Sequence, residues 1–140
     1  MPADFYVDGQ RGMVFSKATG VFSCADALDH MERPLRHPDF RPEFNQLLDF
    51  RQVTKLALSS EEIRELGRRT IFSVRSQRAF VVSSDLQFGL SRMFGAYREL
   101  GGEKGIMIFR EMKTALDWLS LSMEPDSKRF THLSSLTDEA

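Results

Sequence analysis

Apolar positions along the chain change period several times, and each change marks an element. Alternation over Phe5–Asp8 and Gly12–Ala18 predicts two short strands, with Asp8-Gly9 turning between them. Met13 and Phe15 share one face of the second strand, Val14 and Ser16 the other. From Ser23 the spacing becomes helical. Cys24, Leu28, Met31 and Leu35 recur on one side and should face the core. Ser23 with Asp26 three residues on forms a shortened capping box. Pro34 should break this helix near Arg33, because an interior proline deletes a hydrogen bond and clashes with the preceding turn.

Phe44–Phe50 reads as a third strand. Its adjacent Leu47 and Leu48 suit a strand covered on both faces, and Asp49 falls near its carboxyl end. The run "LSSEEIRELGRRTIFSVRS" predicts a helix capped by Ser59, with Glu62 completing the box. Ile63, Leu66, Thr70, Ile71 and Val74 would make its buried stripe, and Glu65 would pair with Arg69. "RAFVVSS" gives a fourth strand. Ser84 and Gln87 open the next helix, which buries Leu86, Leu90, Met93, Phe94 and Tyr97 and ends at Gly101-Gly102. "GIMIF" is a fifth strand, and Ala115, Leu116 and Leu119 line the inner side of a last helix. The segment after Pro125 is polar and without period. The boundaries are therefore one domain over 1–122 and a tail over 123–140. The expected fold class is α/β: a mixed five-stranded sheet, an N-terminal β-hairpin followed by parallel strands, with flanking helices.

Composition narrows the function classes. The chain has 140 residues, enough for one domain with a full core, and a formal net charge of −1. No overall field favours nucleic acid or an anionic membrane, and no apolar run reaches membrane-spanning length. The lone Cys24 has no intrachain disulfide partner and reads as a small core hydrophobe. The start "MPADFYVDGQ" lacks a positive-then-apolar signal, so a cytoplasmic location is expected.

The stretches "LLDFRQVTKLALSSEEIREL", "RAFVVSSDLQFGLSRMFGAYREL" and "IMIFREMKTALDWL" together resemble the SpoIIAA-like family of small bacterial proteins, within the STAS-like group. The most specific part runs Ser84-Asp85-x-x-Phe88-Gly89-Leu90-x-Arg92-Met93, followed by Phe109-Arg110 and Ala115-Leu116-x-Trp118-Leu119. The resemblance implies a sheet with flanking helices, a cytoplasmic location and frequent self-association; it implies no reaction. Better-understood STAS proteins carry a phosphorylatable serine, typically within Asp-Ser-Ser-Gly, where this chain has Ser59-Ser60. Here Ala57-Leu58 precede and Glu61-Glu62 follow, carboxylates that oppose a phosphate. The plain reading is that Ser59 is a helix cap.

No enzyme signature stands out. His30, His37 and His132 join no cluster at metal-ligand spacing, so no metal and no cofactor are expected. Gly101-Gly102-x-x-Gly105 joins a helix to a strand, whereas phosphate-cradling glycines precede a helix. Asp49, Ser59, Ser60, Ser83 and Ser84 would gather on the carboxyl edge of the sheet, where an anion or polar ligand could sit, unless the serines only cap helices. Phe88 lies about 200° round its helix from Leu86, sharing that side with Arg92, Gly95 and Glu99. An aromatic beside a glycine and an arginine suits an interface, most simply a twofold homodimer; the alternative is that Phe88 folds under its own loop or tail. Three readings result: a non-enzymatic regulatory protein-interaction module, a binder of a small anion or lipid-like molecule at the strand-end edge or in a helix-sheet pocket, and, with least support, an enzyme.

Overall fold

In a computed structural model, which describes residues 3–130, the apolar blocks condense on one sheet. Five strands lie side by side in chain order: β1 (Ala3–Asp8), β2 (Met13–Ser23), β3 (Asn45–Ala57), β4 (Arg78–Val81) and β5 (Ile106–Phe109). β1 and β2 form an antiparallel hairpin, and every later pair is parallel. The expected mixed α/β sheet is present. Helices α1 (Cys24–Glu32), α2 (Ser60–Leu66) and α3 (Asp85–Leu100) connect the parallel strands, and α4 (Met112–Trp118) follows β5.

Each parallel step moves to the next neighbour in the same direction, so right-handed crossovers place α1, α2 and α3 on one face. Ala27, Ile63, Leu66 and Phe94 share a core there with Phe22, Leu48, Phe50 and Phe80. The opposite face packs Met112, Ala115, Leu116 and Leu119 against Phe15, Leu47 and Val81. Leu47 and Leu48 therefore enter different cores, as a strand covered on both sides requires. The strand order never reverses between β2 and β5, so the sheet lacks the switch point at which such sheets open a ligand crevice.

Several local expectations need correction. The hairpin turns over residues 9–12, and the positive φ falls on Gly12 (64°), not on Asp8-Gly9. The proline does end α1: a tight 3-10 turn, Arg33–Arg36, begins there, but it buries Pro34 and leaves Leu35 55% exposed. α2 stops at Leu66. Gly67 packs so close to Tyr97 of α3 that a Cβ would stand 2.5 Å from the Tyr97 Cβ, and Arg98 donates to the Gly67 carbonyl at 2.9 Å. The chain then turns, with the Phe72 amide donating to Thr70 Oγ1 at 3.0 Å. Thr70 and Val74 are exposed, and Phe72 is buried instead of them. Glu65 pairs with Arg68 at 3.3 Å, not with Arg69. β2 and β3 both run further than their apolar alternation suggested.

The segment assigned to the tail is partly structural. The Asp126 amide donates to the Tyr6 hydroxyl at 2.7 Å, and Phe130 packs on Tyr6 with ring centroids 4.9 Å apart. Residues 131–140, including His132, lie outside the described residues.

Candidate functional site

The two edges of the sheet are finished differently. Along β1, three backbone groups are taken by side chains. Arg33 donates to the Ala3 carbonyl at 2.7 Å, Arg129 to the Val7 carbonyl at 2.9 Å, and the Phe5 amide donates to Asp4 Oδ1 at 2.8 Å. Side chains seated on an edge in this way obstruct the addition of another strand. β5 is the other edge, bonded among the described residues to β4 alone. Among the described residues, no side chain bonds the backbone of 106–109, and Met107 stands 45% exposed in the middle of it. This edge is open.

α3 lies beside the open edge. Phe88, Arg92, Gly95 and Glu99 are spaced four, three and four residues apart, which places them on one helical face. All four line a groove of about 350 Å3 whose other wall is Ile106, Met107 and Ile108. The set singled out from the sequence is therefore brought together in space. Its geometry differs from the expected one in one respect. Phe88 is half-buried against the core of its own chain rather than stranded outside, and Arg110 lies over its ring at 4.7 Å. Arg110 is held by Asp85 at 2.8 Å.

The reason is that α3 is rotated from its apolar stripe. Its buried face carries Gln87, Ser91, Phe94 and Arg98, and Leu86 is 64% exposed. The polar members are buried because they satisfy backbone groups of other elements. Gln87 Nε2 donates to the Val53 carbonyl at 3.1 Å, and its Oε1 accepts from the Ser83 amide at 3.0 Å. That second bond replaces the expected capping box, which would have run to the Ser84 amide. Hydrophobicity alone cannot register such partners.

At the groove's centre, Gly95 passes over Ile106, where a Cβ would sit 3.5 Å from Ile106 Cγ2. Arg92 and Glu99 are exposed and form no ion pair among the described residues. They stand at equal sequence distance on either side of the Gly95–Ala96 midpoint.

The strand-end set fares differently. Asp49 is buried and held by Arg51, whose Nε and Nη2 donate to its two carboxylate oxygens, each at 3.0 Å. Asp49 is level with Val81 at the end of β4, but β3 continues to Ala57. At ~3.3 Å per residue, that overhang carries Ser59 and Ser60 well away from Ser83 and Ser84 along the strand direction. Both caps are engaged: Ser59 Oγ accepts from Glu62 N and Ser84 Oγ from Gln87 N, each at 3.1 Å. The five residues do not form one site.

Among the described residues, no group of histidine, cysteine, aspartate and glutamate could hold a metal ion, and no helix is long and apolar enough to cross a membrane. Burial and the nearby Glu62 carboxylate push the Cys24 thiol up, away from the reactive thiolate. Sequence reading missed Ile106, Met107 and Ile108 as the far wall of the groove; the only signal was that β5 is last in a one-directional series and so must be an edge.

No family model matches the chain, and none of the curated proteins does. The crystal structure of an uncharacterised protein from the DUF3478 family, with a SpoIIAA-like fold, from Shewanella loihica PV-4 is similar to it. That similarity covers 76% of this chain and 83% of the other at 22% identity, with a TM-score of 0.48.

Proposed function

We propose that the protein is a non-enzymatic interaction module that self-associates by adding a second copy of β5 to its open edge. The observation that carries this reading is the asymmetry of the sheet: among the described residues, side chains engage the β1 edge, while the β5 edge is left free beside a groove of mixed apolar and charged lining. A twofold axis just outside β5, level with its middle, would continue the sheet from one copy into the next. The same axis would bring two α3 helices together antiparallel at the Gly95–Ala96 midpoint, where small side chains permit the ~8–10 Å approach of packed helices. Arg92 of each copy would then face Glu99 of the other, an isologous and self-complementary arrangement. A regulatory protein offering its own strand is the competing occupant.

Light scattering tests this directly. The wild-type protein is expected at twice the 16.1 kDa chain mass. Arg92→Glu replaces two attractions with two repulsions and should shift the protein towards monomer. Arg92→Glu combined with Glu99→Arg should restore the dimer. A wild-type protein that stays at 16.1 kDa at every concentration refutes self-association and leaves the edge to a different protein. Failure of the double swap to restore the mass refutes the placement of the axis.

A further inference from the structure

The α1–α3 face of the sheet encloses a second feature, independent of the β5 edge. A cavity of about 80 Å3 lies between sheet and helices, walled mainly by Phe22, Leu48, Phe50, Leu56 and Ile63. Its polar lining is His30 of α1, Gln46 of β3, Arg78 at the start of β4, Ser91 of α3 and Thr70 of the turn after α2.

His30 is 5% exposed, and among the described residues neither ring nitrogen has a hydrogen-bond partner. Buried polar atoms are rarely left so, because each loses its water without replacement. Arg78 is 4% exposed. Its Nε donates to Gln46 Oε1 at 3.0 Å and its Nη1 to Glu103 Oε1 at 2.7 Å. Arg78 Nη2 donates no hydrogen bond among the described residues. Glu103 is shared with Arg98, whose Nε stands 3.9 Å from the second carboxylate oxygen. Two buried guanidinium groups thus face one carboxylate, and an excess positive charge borders an apolar cavity.

We infer that this cavity binds a short-chain monocarboxylate, one oxygen accepting from the His30 ring N–H and the other from Arg78, with the alkyl end against the phenylalanine and leucine walls. Both open requirements, a partner for the imidazole and an acceptor for Arg78 Nη2 where two guanidinium groups share one carboxylate, are answered by the same group. The chain length follows from volume. A cavity of ~150 Å3 admits benzene, so one about half that size admits only a few heavy atoms, on the scale of propionate. Burial is the main cause, with the charges of Arg33 and Arg78 adding to it, of a His30 pKa pushed down to about 3, so the ring is neutral near pH 7 and has one N–H to give.

The test is an NMR titration of the full chain with sodium propionate, with 1-propanol as the neutral match in shape and sodium chloride as the salt control. Propionate should shift the His30 ring nitrogens and the Leu48 and Ile63 methyls saturably, and 1-propanol should bind about tenfold more weakly for want of the charged contacts. His30→Leu, which retains volume and removes both nitrogens, should weaken propionate without weakening 1-propanol. Equal binding of the two probes refutes recognition of a carboxylate, and absence of saturable shifts with propionate refutes the site. Should His30→Leu fail to fold, the comparison of the two probes on the wild-type protein decides the matter alone.

Discussion

His30 enters the folded protein without its proton. Burial first, and then the charges of Arg33 and Arg78, lower its pKa from 6.5 to about 3, whereas in the unfolded chain the ring titrates normally. Below pH 6.5 the unfolded state therefore binds the extra proton, and stability falls with pH until the folded pKa is reached. Between pH 7 and pH 5 the loss is about 2 kcal/mol, read as a drop in the urea midpoint. His30→Leu should remove most of that pH dependence. If wild type and variant weaken equally, another group is responsible. Phe88 matters at the same scale for a different reason. Its ring is half inside its own core, so truncating it would weaken the fold as well as any interface, and the exposed Arg92–Glu99 pair is the cleaner probe. The two residues also mark how far residue-level reading reached. Phe88, Arg92, Gly95 and Glu99 were legible as a set from helical spacing alone. That Gln87 and Arg98 are buried while Leu86 is exposed was not, because their partners, Val53 and Gly67 carbonyls, are 34 and 31 residues away.

Among elements, helix starts were the most readable feature. Ser23 with Asp26 and Ser59 with Glu62 both form reciprocal caps, because the bonds involved span only three residues. Ser59→Ala should lower stability by about 1 kcal/mol if capping is its whole role, measured by thermal or urea unfolding. An unchanged stability would show that the cap contributes nothing, and loss of self-association at unchanged stability would point to a regulatory serine. Helix ends were less readable. The helical pattern of Ile71 and Val74 continued past Leu66, yet α2 ends there, and only a residue without a Cβ at position 67 lets Tyr97 approach, a constraint set by another helix. β5 begins under a similar constraint. A Cβ on Gly105 would stand 2.1 Å from the Ser76 carbonyl oxygen, so only glycine allows the chain to enter the edge strand there.

At the scale of the molecule, the sequence of blocks determined the sheet. Alternating strands and helices with right-handed crossovers leave few topologies, and the mixed five-stranded sheet is among them. What the blocks could not disclose was which edge is closed, since the groups closing β1 come from Arg33 and Arg129, far apart in sequence. Nor could they place Ser59 away from Ser83, which depends on the overhang of β3 beyond β4. The open β5 edge remains the feature on which self-association depends. Amide hydrogen exchange, read at several protein concentrations, addresses it most directly. Residues 106–109 should exchange more slowly as concentration rises, and the already closed β1 edge should not change. Exchange at 106–109 that is fast and independent of concentration would mean that no second strand adds there.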